Sequence, residues 1–465
     1  MTGTVRLAEL IDQFNLIQDK GLLKLKISEN KLIPCSWLEW AVGWFKFFVI
    51  SDKSTINSKI EFAKGQVKEI QGLIDSTNAN SADLKFYTAA RKTIERWNEV
   101  VGKHVGTISY KELFPVQMES SAFPSDSFEF FVTNAEKLPL IIRPKNDWNL
   151  QDFQDYLRAH QEEIKELIDK SGAIMFRGFP IKTADDFRET LAAALGKAPS
   201  DYVGSGFRGK KKAEAVLPST DAPKEFSIPL HSERLFTHTP SYISFFCLTP
   251  PNRGTGQTTL GSALKINAAL KEKGVWDYFE AKNKEGLKID QMMTYPSKGT
   301  FYTLVNPAHK SWQQVFGKET KEEVIEILEQ HKIEFNKERF LEKGTLEVHE
   351  YAPIFRERQS DGRVLWESIV HQFHHNARKH GGWFIHLLVN MLYPFQHLRM
   401  FNAQFTDGSK IPQDKVYQIY DALEENTLAT TDWQQGDMTI VSNEDVWHGR
   451  APSTGQREIL AAVVL

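Results

Sequence analysis

Cysteine is nearly absent: Cys35 and Cys247 are the only two in 465 residues. Two isolated thiols build no disulfide framework, and such sparse use fits a reducing compartment. Long apolar runs are missing as well. The most apolar stretch, residues 37–50, is broken by Glu39, Gly43 and Lys46 and falls short of the roughly 20 residues that a membrane-spanning helix needs. The opening residues Met-Thr-Gly-Thr-Val-Arg-Leu-Ala-Glu carry no basic segment leading into an apolar one, so no secretory signal is expected and the protein is placed in the cytoplasm. Neither sign of charge dominates: 57 Lys+Arg against 60 Asp+Glu leave a net charge of -3. No global field therefore recruits nucleic acid or an anionic membrane. The one short basic run, Arg208 to Lys212, reads as a solvated loop. With 28 Gly and 19 Pro the chain is neither fibrous nor of low complexity, and no internal repeat is visible.

What is present is an ordinary globular composition, 41% hydrophobic and 25% charged, at a length that suggests two domains rather than one core. The first part reads as helices. Leu7, Leu10, Ile11, Phe14 and Ile17 recur at helical spacing, as do Ile60, Ala63, Val67, Ile70 and Ile74, and again Tyr87, Ala90, Ile94, Trp97 and Val101. Three such stripes predict an all-α bundle over residues 1–115, with the aromatics Trp44, Phe45, Phe47 and Phe48 in a buried helix. A membrane-surface or partner-binding role for those aromatics is the weaker reading. Residues 115–126 carry no periodic pattern and read as a linker. Beyond them one amphipathic helix (Leu150, Phe153, Leu157, Ile164, Ile168) leads into a short buried strand, Gly172-Ala-Ile-Met-Phe-Arg-Gly-Phe179. The runs Tyr242-Ile-Ser-Phe-Phe-Cys-Leu248, Thr439-Ile-Val441 and Ile459-Leu-Ala-Ala-Val-Val-Leu465 follow, separated by Pro/Gly turns, as expected of an antiparallel β core. A helical interlude is predicted from about Lys321 to Glu342.

One constellation carries chemistry. His231-Ser-Glu233 is a His-x-carboxylate pair, and on a strand residues i and i+2 point to the same face. A third ligand is offered by His448, which opens His448-Gly-Arg-Ala-Pro452. Two imidazoles and one carboxylate on one side of an ion leave the opposite positions open, the arrangement non-haem Fe(II) oxygenases use for a co-substrate and O2. Alone, His-x-Glu is a weak signal.

The surrounding landmarks make it specific. From about Leu138 to Leu465 the chain resembles the taurine-dioxygenase superfamily, and most closely its branch of syringomycin-biosynthesis-type amino-acid hydroxylases. In order these are Gly172-Ala-Ile-Met-Phe-Arg-Gly-Phe179, Asp201-Tyr202, Ser219-Thr220, Ile228-Pro-Leu-His231-Ser-Glu233 and Gly256-Gln-Thr-Thr259. They continue with Ser311-Trp-Gln-Gln-Val-Phe-Gly317, Asp407-Gly-Ser-Lys-Ile-Pro412, Trp433-Gln-Gln-Gly-Asp437 and His448-Gly-Arg-Ala-Pro-Ser-Thr-Gly-Gln-Arg457. The resemblance implies an α+β protein: a double-stranded β-helix, or jelly-roll, oxygenase domain over residues 120–465, preceded by the all-α bundle.

By position the resemblance makes His231, Glu233 and His448 the catalytic iron ligands. It makes Arg457 the arginine that pairs with the distal carboxylate of 2-oxoglutarate, for which a guanidinium fork is suited. Thr258 becomes a hydroxyl donor to the same co-substrate. Arg177 and Asn443 sit in landmarks but read as packing and turn residues. The implied activity is hydroxylation of an unactivated C–H bond of an amino acid or amino-acid-derived metabolite by O2, with release of succinate and CO2. Related halogenases replace the carboxylate ligand with a small residue; Glu233 is kept here. Desaturation or cyclisation by the same cofactors is an alternative. So is a non-enzymatic protein- or membrane-binding protein working through the helical module, for which a protein partner is a candidate.

Departures from the family are informative. Trp366-Glu-Ser368 stands where many relatives have Trp-Phe-Asn. Ala461 occupies the position at which some members carry a second arginine, which disfavours a sulfonate substrate. The histidines His371, His374 and His375 have no cysteine or closing fourth ligand nearby and read as surface or active-site rim rather than a zinc site.

Overall fold

In a computed structural model the chain divides into two compact units, Met1–Ser109 and Tyr110–Leu465. The described residues are 25–28 and 31–34 of the first unit and most of 113–465, apart from short stretches, chiefly 202–210, 223–226, 236–238, 306–308 and most of 377–398. Within the first unit β1 (Leu25–Ser28) and β2 (Lys31–Pro34) form an antiparallel hairpin, with Ser28 opposite Lys31. An all-α description does not cover this hairpin. The three helical stripes and the aromatic segment 37–50 lie outside the described residues.

The second unit is built on two facing sheets. The larger has eight strands in the order β3-β4-β5-β6-β17-β9-β19-β7. These are β3 (Phe114–Val116), β4 (Phe128–Val132), β5 (Leu140–Pro144), β6 (Ala173–Phe176), β7 (Leu217–Pro218), β9 (Tyr242–Thr249), β17 (Met438–Ser442) and β19 (Glu458–Val464). All neighbours are antiparallel except β5 and β6. The smaller sheet is β10-β18-β8, where β8 is Ile228–His231, β10 is Thr258–Ser262 and β18 is Val446–Arg450.

Alternation explains how one sheet serves two cores. Ile243, Phe245 and Cys247 of β9, with Ile459, Ala461 and Val463 of β19, meet Leu260 and Val446 of the small sheet. Phe246, Ile440, Leu460 and Ala462 point the other way, against the helices Leu150–Ala159, Gln161–Ser171 and Ala184–Leu195. Two sheets closing on a shared apolar layer are the jelly-roll core that the resemblance implied. A buried bidentate pair, Arg177 to Asp437 at 2.9 and 2.5 Å, ties the end of β6 to the turn before β17, so Arg177 is structural as expected.

Between β10 and β17 the chain makes a long excursion with its own core. It carries a second sheet, β12-β13-β11-β16, formed by β11 (Ile289–Tyr295), β12 (Glu334–Phe335), β13 (Leu346–Ala352) and β16 (Phe401–Phe405), and a hairpin of β14 (Phe355–Glu357) with β15 (Val364–Trp366). Its core reaches Leu230 and Trp447, the outward side chains of β8 and β18, so the excursion backs the small sheet.

Three readings need correction. The single amphipathic helix is two, broken at His160, where the backbone leaves helical geometry (φ -124°, ψ 29°) while the ring bonds the Tyr156 carbonyl at 2.8 Å. The expected linker belongs to the second unit: β3 is an edge strand paired with β4, and Ala122 and Phe123 are fully buried. The helical interlude is interrupted by β12 between the helices Lys321–Gln330 and Lys337–Lys343. Among the described residues no helix is long and apolar enough to cross a membrane.

Candidate metal centre

The small sheet brings the two histidines together. β18 runs antiparallel to β8 with His448 directly opposite His231, and their rings lie 4.4 Å apart. On β18 the side chains of Val446, His448 and Arg450 share the face turned to the apolar layer, and Phe245 of the large sheet packs 5.1 Å from the His448 ring. Leu260 of β10 flanks His448 on the other side. Gly449 must be glycine, because a Cβ there would stand 2.5 Å from the Ile228 carbonyl oxygen and 2.7 Å from Thr259 Oγ1.

Glu233 completes the set by a different route. β8 ends at His231, so no ladder holds residues 232–233. Asn443, fully buried after β17, replaces the ladder: its Oδ1 accepts from Glu233 N at 2.7 Å, and its Nδ2 donates to the carbonyls of Glu233 at 2.9 Å and Pro240 at 2.8 Å. The Glu233 carboxylate then lies 3.5 Å from His448 Nε2. One ligand atom from each of His231, Glu233 and His448 falls within 4.8 Å of the others. His231 Nδ1 sits 2.9 Å from the Pro229 carbonyl, a contact that fixes the ring as partners behind metal-bound imidazoles do. Two imidazoles and one carboxylate, with Glu233 and His448 buried, fit a divalent ion of the iron class.

Close to Arg450 of β18 lies a second guanidinium. Arg457, just before β19, donates from Nε to the Gly256 carbonyl at 3.1 Å and from a terminal nitrogen to Ser219 Oγ at 3.3 Å. Burial, with the Arg450 guanidinium nearby, holds its pKa below the ordinary arginine value. Among the described residues no carboxylate forms an ion pair with Arg457. Gly256 is needed there: it has φ +67°, and a Cβ would stand 2.7 Å from the Ser453 Cβ. Thr258 is buried on β10 opposite Arg450, on the face shared with His448, and its carbonyl accepts from Thr430 Oγ1 at 2.7 Å.

The remaining predicted residues do not join the site. His371 bonds the Leu230 carbonyl, His374 the Ile411 carbonyl and His375 the Asn390 side chain, each at 3.1 Å, so the three do not converge. His371 is completely buried, neither surface nor rim. Lys211 and Lys212 are exposed and paired with Asp201 and Glu458, while the rest of the basic run lies outside the described residues.

Sequence reasoning gave Arg450 no role, although its place two residues after His448 on one strand signals a shared face. It also took Asn443 for a turn residue only. It missed the buried charges behind Glu233 altogether: Arg234 pairs with Glu350 at 2.7 Å and Glu367 at 3.4 Å, and Arg356 with Glu367 at 3.0 Å.

Residues 134–282 match the family of the taurine catabolism dioxygenase TauD and TfdA. Over that part of its length the chain is similar to TauD/TfdA-family dioxygenases. The donor set above could hold the divalent metal of such a dioxygenase. A clavaminate synthase-like protein of Arabidopsis thaliana is 24% identical over 67% of this chain and 87% of its own length. The dapdiamide synthesis protein DdaC of Enterobacter agglomerans is 25% identical over 72% and 92%. Among solved structures, PvcB of Pseudomonas aeruginosa covers 75% of this chain and 94% of its own at 11% identity, with a TM-score of 0.39.

Proposed function

We propose that this chain is an Fe(II)- and 2-oxoglutarate-dependent oxygenase that hydroxylates an unactivated C–H bond of an amino acid or amino-acid-derived metabolite, with iron held by His231, Glu233 and His448. One observation carries the reading: three ligand atoms of the required types converge within 4.8 Å, and the carboxylate is among them. With iron bound, the overall reaction would consume one substrate C–H, O2 and 2-oxoglutarate and give the alcohol, succinate and CO2.

The chain's own contribution is binding, orientation and dryness. Arg457 pairs with the distal carboxylate of 2-oxoglutarate, and Thr258 offers its hydroxyl to the same molecule. The Arg450 guanidinium adds positive potential to that end of the pocket. The apolar layer around Phe245 and Leu260 excludes water from the metal face. An amino-acid-like substrate rests on the resemblance to the amino-acid hydroxylase branch, and the relative named for dapdiamide synthesis points the same way.

The test is anaerobic addition of Fe(II) and 2-oxoglutarate, which should give a weak visible charge-transfer band, followed by O2, which should release succinate. Glu233→Ala should abolish succinate formation. Turnover like that of the wild type in this variant would sink the assignment.

A further inference from the structure

Behind the proposed metal ligands lies a balanced set of charges, two buried carboxylates and two half-buried guanidinia. Glu367 is its node. Only 2% exposed, it stands just past β15, and its carboxylate accepts from Thr239 Oγ1 at 2.9 Å. It also forms ion pairs with Arg234, at 3.4 Å, and with Arg356 Nε, at 3.0 Å. Arg356 lies on β14, and its terminal nitrogen donates to the Asn443 carbonyl at 3.0 Å. Arg234, the residue after Glu233, is held from its other side by Glu350 of β13 at 2.7 Å.

Every strand of this web ends on the segment that carries Glu233. Arg234 is covalently next to it, and Asn443 clamps both its amide and its carbonyl. Since β8 stops at His231, these contacts replace the ladder that would otherwise fix the carboxylate. Taking two carboxylates out of water and half-burying their guanidinium partners is costly, and such an ion network is weak evidence for stability in its own right. A role in holding one geometry accounts for it better.

We propose that Glu367 is a positioning residue for the metal-binding carboxylate, acting through Arg234 on one side and through Arg356 and Asn443 on the other. The β14–β15 hairpin is then a strut that holds the position of Glu233 relative to His231 and His448. This rests on the metal assignment above.

The test uses the full chain and Mn(II) as the probe. Glu367→Gln keeps size and removes the charge. It should weaken Mn(II) binding about ten- to a hundred-fold, as loss of a partner behind a ligand does, and broaden the Mn(II) electron-paramagnetic-resonance signal, while the circular dichroism of the metal-free protein stays as in wild type. The double variant Arg234→Met/Glu367→Gln should lose much less than the sum of its singles, because the two belong to one web. Thr239→Val, which withdraws one hydrogen bond and no charge, should weaken Mn(II) several-fold and decides the matter if Glu367→Gln does not fold. Glu233→Ala separates the two ideas. If it leaves Mn(II) affinity intact, the metal assignment fails. If it destroys Mn(II) binding while Glu367→Gln, or Thr239→Val in its place, binds Mn(II) as wild type does, the assignment stands and the strut is wrong.

Discussion

The proposed function makes Arg457 a side chain placed for a ligand rather than for the fold. Its two recorded partners are a backbone carbonyl and a serine hydroxyl, neither of which neutralises a guanidinium, and Arg450 beside it adds more positive charge. An incoming carboxylate relieves both. Removing Arg457 would leave one end of 2-oxoglutarate unpaired in a dry pocket, at a cost of about 2–5 kcal/mol in binding. Arg457→Ala is therefore expected to raise the apparent 2-oxoglutarate constant by a factor of tens or more. Its iron content should stay near that of the wild type, since Arg457 touches none of His231, Glu233 and His448. Initial rates against 2-oxoglutarate, with iron measured on the same sample, check this. An unchanged constant would mean that Arg450 or another cation holds that carboxylate. The cluster of His231, Glu233 and His448 was legible because its residue types are concentrated in short motifs, His231-Ser-Glu233 and His448-Gly-Arg-Ala-Pro452. Arg234, Glu350, Glu367 and Arg356 were not legible. They sit on separate segments, and a charged residue in a sequence reads as surface unless its partner can be seen.

At the scale of elements, β11 and β13 carry a titrating device on their outer face. His349 Nδ1 lies 3.0 Å from Asp290 and its Nε2 3.4 Å from Glu347, and these carboxylates raise its pKa to about 10. The folded state thus binds the proton more tightly than the unfolded chain, whose histidine titrates near 6.5. The resulting stabilisation is complete below about pH 6.5 and is lost as pH rises toward 10. Wild type should accordingly lose more Tm between pH 7 and 10 than His349→Gln does. The difference should correspond to about 1 kcal/mol after solvent screening, or roughly 2–4 °C. Parallel melting curves of the two proteins would show none if the pair were inert. These strands also mark where sequence reading stopped. β9, β17 and β19 pack against neighbours on both faces and spell continuous apolar runs. β11 reads Ile-Asp-Gln-Met-Met-Thr-Tyr, with Gln291 fully buried, so its polarity hides it. β13 does alternate, Leu-Glu-Val-His-Glu-Tyr-Ala, and the signal was there to be used. The break at His160 was hidden because the apolar stripe continues in phase across it, with Phe153, Leu157, Ile164 and Ile168 all buried.

For the whole molecule, the order of the family landmarks announced the jelly roll, because strands far apart in sequence, such as β8 and β18, pair only within a fixed topology. Composition and periodicity alone gave no such pairing, and they set the domain boundary too late. Residues 115–126 lack a pattern because they form an edge strand and a tight turn, not because they are a linker: β3 pairs β4, and Phe123 packs against Phe128 and Phe176. The two compact units part between Ser109 and Tyr110. All the side chains assembled here around the metal and the co-substrate lie in Tyr110–Leu465. The last expectation follows. A chain beginning at Tyr110 should fold, bind Mn(II) and 2-oxoglutarate, and still form succinate slowly, whereas one beginning at Ser120 should be less stable because it loses β3 from the edge of the eight-stranded sheet. Circular dichroism, Mn(II) titration and succinate assays on the two truncated proteins would decide. If the Tyr110 chain were soluble and folded yet unable to bind 2-oxoglutarate, residues 1–109 would have to help build the site, and the division of labour between the units would be wrong.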